Sequence, residues 1–182
     1  LLERPLLAAI RQESPPVLLI DEVDRADEEF EALLLEVLAD FQVSIPEFGT
    51  VTARSIPRVI LTSNATRELS DALRRRCLYH YVDFPSEAQE TRILLARVPG
   101  IAAKLAGQVA AFVALVRKED LKKVPGIAES IDWAATLVGL GQAKLEASSE
   151  TILESLICLI KTREDQGNFS REVAQRLLGK VA

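Results

Sequence analysis

Four consecutive aliphatic residues followed by two acids, Val17-Leu18-Leu19-Ile20-Asp21-Glu22, constrain this chain more than any other stretch. A run without polar alternation predicts a strand buried on both faces, as in a parallel sheet packed under helices. In such sheets ligands bind beyond the carboxyl ends of the strands, which is where Asp21 and Glu22 fall. Phe30, Leu33, Leu34, Val37, Leu38 and Phe41 then repeat at helical spacing, with Asp27, Glu28 and Glu29 at the positive end of the helix.

Other elements follow from local signals. Leu6, Leu7 and Ile10 share a helical face that Ser14-Pro15-Pro16 terminates. Gln42–Ile45 and 51–56 are β-prone, and Pro46-Glu47-Phe48-Gly49 between them predicts a hairpin turn. Arg58–Thr62 (RVILT) predicts a second buried strand, Leu69–Arg76 a short helix and Leu78–Phe84 (LYHYVDF) a third strand. After Pro85 only helical signals remain. Ser86 and Gln89 match a capping box. Ile101, Leu105, Val109, Phe112, Val113 and Val116 make one amphipathic face. Ile127, Ile131, Ala134, Ala135 and Val138 make another, closed by Gly139 and Gly141. Ile152, Leu156, Ile157 and Ile160 follow, and Ser170 opens a last helix with Val173, Leu177, Leu178 and Val181. Strand–helix alternation followed by a helical bundle predicts two domains, 1–85 and 86–182.

Three groups of residues can carry chemistry. Asp21 can hold Mg²⁺ through water, and Glu22 can orient and deprotonate a water for attack on a γ-phosphate. The same pair also suits a solvated acidic turn after a strand. Asn64, in Thr62-Ser63-Asn64 at the end of the second strand, can hydrogen-bond a γ-phosphate and its attacking water, or simply form a turn. Arg74-Arg75-Arg76 can stabilise a transferring phosphoryl group from a neighbouring subunit, can cap a helix C-terminus, or can contact nucleic-acid phosphate. His80 and Trp133 read as packing residues, and Asp24-Arg25 as a surface feature of the turn, with an intersubunit role as the alternative.

Composition narrows the field. A net charge of −5 disfavours nucleic acid and anionic membranes as partners. No apolar run approaches the ~20 residues that span a bilayer. The two cysteines, Cys77 and Cys158, match no metal spacing and no disulfide framework, which points to a reducing cytoplasm. Methionine is absent, so the chain reads as a fragment of a longer protein.

The order of these features carries a resemblance. A buried strand ending in Asp-Glu, a helix, a hairpin, a strand leading to Asn, an arginine run and a helical bundle resemble the AAA+ module from Walker B, through sensor 1 and the arginine finger, to the lid. The segments VLLIDEVDRADEEFEALLLEVLADFQVSIPEFGTV, VILTSNATRELSDALRRRCLYHYVDFP and PGIAESIDWA are similar to the MoxR family, in its branch of carbon-monoxide-dehydrogenase maturation ATPases. The resemblance implies the C-terminal part of a parallel-sheet α/β AAA+ core over 1–85 and an all-α lid over 86–182. It implies an ATPase using ATP and Mg²⁺, with Asp21 as the Mg²⁺ ligand, Glu22 as catalytic base, Asn64 as sensor 1 and Arg76, then Arg75, as arginine finger. Asp21, Glu22 and Asn64 would line the nucleotide. The hairpin over 42–56 would meet substrate or a neighbouring subunit. The implied partners are further copies of the chain in a ring, expected to be a hexamer, a von Willebrand factor A domain protein and a target enzyme. The implied work is chaperone-like remodelling or metal-cofactor maturation in the cytoplasm.

Two departures stand out. No G-x-x-x-x-G-K-[ST] loop occurs, and the family's order places that loop upstream of Leu1. The position matching the lid's sensor-2 arginine is Glu129, so that either Lys122, Lys123 or another residue takes its place or this branch dispenses with that contact. A non-catalytic assembly module and a DNA-acting AAA+ motor are the competing expectations. The acidic balance and the lack of a basic, aromatic-rich hairpin weigh against the motor.

Overall fold

The computed structural model describes residues 5–46 and 48–181. Contacts divide the chain between Tyr81 and Val82 into two compact units.

In the first unit, α1 (Pro5–Ile10) leads to β1 (Val17–Ile20), a 3₁₀ turn (Val23–Arg25) and α2 (Glu28–Asp40). Then come β2 (Gln42–Ile45), β3 (Gly49–Thr52), β4 (Arg58–Leu61) and α3 (Asp71–Arg74). β1 and β4 pair in parallel, from Val17 opposite Arg58 to Ile20 opposite Leu61. β2 and β3 form an antiparallel hairpin. The architecture is therefore the expected α/β type with a parallel pair.

Local chemistry sets the limits of α2. The Asp27 side chain accepts from the Phe30 amide at 2.8 Å, capping the first turn. Phe41 ends the helix in a left-handed conformation, φ 51°, with its N–H returning to Val37 O. Between these ends Leu34 and Val37 are fully buried, Val37 with Ile10, Leu18 and Val43, and Leu34 with Val23 and Leu73. Glu36 fastens α2 to the hairpin by accepting from the Ser44 amide and hydroxyl and from Gln42 Nε2. The Ser44 hydroxyl, chiefly, holds the Glu36 carboxyl below its usual range.

Three expectations need correction. Neither β1 nor β4 is buried on both faces among the described residues, because Val17, Leu19 and Ile60 are 66%, 59% and 52% exposed while Leu18 points into the core. The segment after the hairpin turn is a strand only as far as Thr52. Ala53 then donates to Phe41 O and Arg54 to Ile10 O, which takes the chain off the ladder. Leu78–Phe84 forms no strand, and Leu78, Tyr79, His80, Tyr81 and Val82 are exposed. Its sequence suits a pleat, but β structure requires a hydrogen-bonded neighbour, and none pairs with it among the described residues. His80 is accordingly not a core histidine. The predicted turn at 46–49 includes Glu47, which lies outside the described residues.

The second unit is entirely helical: α4 (Glu87–Arg97), α5 (Ala103–Val116), α6 (Ile127–Gly139), α7 (Glu150–Ser155) with a 3₁₀ extension (Leu156–Cys158), α8 (Arg163–Asn168) and α9 (Arg171–Leu178). Ser86 and Gln89 form the predicted capping box. Ser170 caps α9 by accepting from Val173 N. Leu105, Val109, Phe112, Val113 and Val116 of α5 are fully buried around Trp133 of α6. The Phe112 and Trp133 rings lie 5.0 Å apart, tilted by 43°. Gly141 adopts φ 72° just past α6, the conformation glycine tolerates best at a helix end.

A buried ion cluster locks α4, α5 and α6 together. Arg117 donates from both Nη atoms to Glu90, at 2.6 and 3.0 Å, and from Nε to Pro125 O. The Ser130 hydroxyl donates to Glu90 Oε1 at 2.6 Å. Phe84 lies against the outer side of the Arg117 guanidinium, 4.5 Å from ring centroid to Cζ. No helix among the described residues is long and apolar enough to cross a membrane.

Candidate functional site

The parallel register sets Ile20 beside Leu61, so the residues that follow the two strands emerge together. Thr62 N donates to Ile20 O and Val23 N to Thr62 O, extending the ladder past the strand ends. The Thr62 hydroxyl bridges the acids, donating to Asp21 Oδ1 and accepting from the Glu22 amide at 3.1 Å. Glu22 itself is left-handed, φ 53° and ψ 47°, a conformation disfavoured for a side chain with a Cβ. Such strain, of order 1–3 kcal/mol, persists where surrounding contacts hold it and is concentrated at functional sites. Here Thr62 and the Val23 hydrogen bond supply those contacts.

Asn64 reaches the same place from β4. Its Nδ2 donates to Glu22 Oε1 at 2.9 Å, and the other Glu22 oxygen pairs with Arg25 Nε at 3.2 Å. Asp21, Glu22 and Asn64, about 40 residues apart in sequence, are thus brought within one hydrogen-bonded cluster. The Glu22 carboxylate is held at the rim, partly open to solvent, where a water can approach it.

Arg75 and Arg76 are exposed beyond α3, and Arg76 Nη1 donates back to Ala72 O within it. Among the described residues neither is bonded to Asp21, Glu22 or Asn64. Ser70 caps α3, which precedes them, by accepting from Leu73 N.

Mg²⁺ prefers oxygen ligands and retains several waters, taking one or two carboxylates together with substrate phosphates. Asp21 suits that role. It is exposed, Thr62 orients Oδ1, and Oδ2 accepts no hydrogen bond among the described residues. No group of three or more His, Cys, Asp or Glu side chains there could enclose a metal by itself.

Asp24 overturns its reading as a surface feature. It is 2% exposed, and its Oδ1 accepts from Asn64 N while Oδ2 accepts from the amide and hydroxyl of Thr66. The Thr66 hydroxyl first, then the two amides, hold its carboxyl far below the usual range, against the opposing effect of burial. Arg67 closes the same loop, donating to the carbonyls of Asp24 and Ala26 and from both Nη atoms to the buried Glu31. Glu31 also accepts from Ser70 N. Sequence reasoning passed over Asp24, Glu31, Thr62 and Arg67. The signal available was a lone arginine in the polar stretch N-A-T-R-E-L-S, opposite a turn crowded with acids.

In the helical unit, Glu129 turns back on its own helix, accepting from Gly126 N at 3.0 Å. Lys123 lies 4.0 Å from it and Lys122 pairs with Glu164.

Residues 3–85 match the model of the ATPase family associated with various cellular activities (AAA). No curated protein matches the chain. Over those residues the chain is similar to AAA-family ATPases. Proteins of that family bind ATP and Mg²⁺ and usually assemble into rings.

Proposed function

We propose that this chain is the Walker B-to-lid part of an AAA+ ATPase of the MoxR type, in which Glu22 activates water for attack on the γ-phosphate of ATP. The observation that carries the reading is the hydrogen-bonded cluster of Asp21, Glu22, Thr62 and Asn64 at the carboxyl ends of two paired parallel strands.

Each residue has a distinct task. Glu22 takes the proton of the attacking water. Asn64, already donating to Glu22, holds the carboxylate in place and offers its amide to the water and the γ-phosphate. Thr62 keeps Asp21 and Glu22 in fixed relation. Asp21 would hold Mg²⁺, which neutralises charge on the phosphate oxygens. Arg76, with Arg75 beside it, would stabilise the transition state in the neighbouring subunit, so assembly and turnover would be linked.

The finer assignment rests on sequence resemblance alone: a hexameric ring, a von Willebrand factor A domain partner, and remodelling or metal-cofactor maturation of a target enzyme in the cytoplasm. The test is steady-state ATP hydrolysis, with Mg²⁺, by the natural protein that contains this chain. Turnover that disappears in Glu22→Gln, with ATP binding retained, is the expected result. Neither binding nor turnover in the natural protein would sink the reading in favour of a non-catalytic assembly module.

A further inference from the structure

We propose that Asp24 is a positioning residue for catalysis: it fixes the loop from which Asn64 reaches Glu22. The proposal rests on the reading of Glu22 and Asn64 given above, and assigns the control of Asn64 to a buried residue whose carboxylate oxygens are both engaged by the loop itself.

The geometry is specific. Asn64 is exposed, and its loop, residues 62–70, has no regular structure and few side chains in the core. Left to itself such a loop samples many conformations, and Asn64 would meet Glu22 only part of the time. Asp24 removes that freedom. Its two oxygens take the backbone N–H on either side of Ala65, at 3.2 Å from Asn64 and 2.8 Å from Thr66, and also the Thr66 hydroxyl at 2.5 Å. Ala65, between them, is held at φ 55°, a conformation alanine adopts only under constraint. A carboxylate is the one side-chain type of this length that accepts all three donors at once, since it has two oxygens and donates nothing.

Asp24 is itself immobilised. It lies in the 3₁₀ turn that leaves β1, two residues after Glu22, and Arg67 ties down its carbonyl at 3.1 Å. The catalytic carboxylate and the loop that supplies its amide partner are therefore clamped to one short turn. Precise mutual placement of such groups is worth orders of magnitude in rate.

Two measurements decide the matter. The first is amide hydrogen exchange on this chain, comparing Asp24→Asn with the unmodified protein and using Val37 N–H of α2 as reference. The substituted side chain retains one acceptor oxygen but sets an NH₂ group against one of the backbone amides. Exchange at Asn64 N–H or Thr66 N–H should accelerate by roughly tenfold to a hundredfold, the loss of a charge-assisted hydrogen bond, with Val37 unchanged. Unchanged exchange at both amides, or equal acceleration at Val37, overturns the proposal. The second is a double-mutant cycle on ATP turnover by the natural protein. Asp24→Asn should lower kcat and leave KM for ATP within about twofold, and should lower it no further once Asn64→Ala is present. Additive losses would mean that Asp24 does not act through Asn64. If Asn64→Ala alone leaves kcat unchanged, the catalytic reading of Asn64 fails, and the exchange rates alone decide whether Asp24 clamps the loop.

Discussion

Asn64 Nδ2 lies 2.9 Å from Glu22 Oε1, joining the turn after β1 to the loop after β4 through side chains 42 residues apart in sequence. Glu22 is the strained member of the pair, left-handed at φ 53°, and Asn64 is the exposed one. The contact gives a carboxylate an orientation without burying it, as a base that must meet water requires.

Replacing Glu22 by Gln keeps the shape and the acceptor for Asn64 but removes the ability to take a proton. In the natural protein, turnover should fall by about 10²–10⁴-fold, the usual contribution of a positioned general base. ATP binding and the thermal unfolding midpoint should change little. A phosphate-release assay with a parallel melt checks both.

Glu90 is fully buried and accepts from both Nη atoms of Arg117 and from Ser130. Glu90→Ala would leave a buried guanidinium without its partner, a change that costs about 3–5 kcal/mol. The midpoint of urea unfolding, followed by the fluorescence of Trp133, should drop accordingly. Trp133 is the only tryptophan, so the signal reports on the helical unit.

Trp133 Nε1 donates to the buried Ser155 hydroxyl at 2.8 Å, and that hydroxyl donates on to Ile152 O at 2.7 Å. Ser155→Ala strands the indole N–H in the core, at a cost of about 1–3 kcal/mol. The same fluorescence titration measures it, and the emission maximum should shift as the indole loses its partner.

Asp165 is buried and accepts from the Thr162 hydroxyl and from the amides of Lys122 and Lys123. The Thr162 hydroxyl, chiefly, holds its carboxyl below the usual range. A carboxyl with a lowered folded-state pKa contributes stability above its unfolded value, near 4, and loses it as pH falls through the folded value. The helical unit should therefore weaken progressively below about pH 4, and Asp165→Asn should flatten that acid limb. Unfolding curves at a series of acidic pH values test the sign directly.

Much of the helical unit was legible in the sequence, because helix signals are local. The apolar spacing from Leu105 to Val116, the Ser86–Gln89 capping box and the Ser170 cap each depend on residues within about one to three turns. α8 was not foreseen, since Arg163–Asn168 offers no apolar stripe, and it is held by polar contacts: the Thr162 cap, the buried Asp165, and Gln166 donating to Ile160 O. Leu78–Phe84 misled for the opposite reason. Its alternation of aromatic and polar residues satisfies a strand pattern, but a pattern cannot supply the neighbouring backbone that a ladder needs.

The candidate site was half legible. Asp21 and Glu22 follow an unbroken aliphatic strand, and Asn64 follows another, so residue type and strand ends located them. Asp24, Glu31, Thr62 and Arg67 were not assigned to it, because their partners lie 36 to 43 residues away, and a lone arginine facing a turn rich in acids names no particular pair.

By itself, the sequence determined most of the helical segments, which two strands are aliphatic enough to pair in parallel, and which acids and amide stand at their ends, since these follow from short-range periodicity and residue chemistry. Only the tertiary structure decided that Glu22 is held left-handed against Asn64, that Asp24 is buried beneath the loop carrying it, and that β1 covers one face and leaves Val17 and Leu19 open. Those outcomes depend on hydrogen bonds and contacts between residues far apart in the chain, and folding alone brings such residues together.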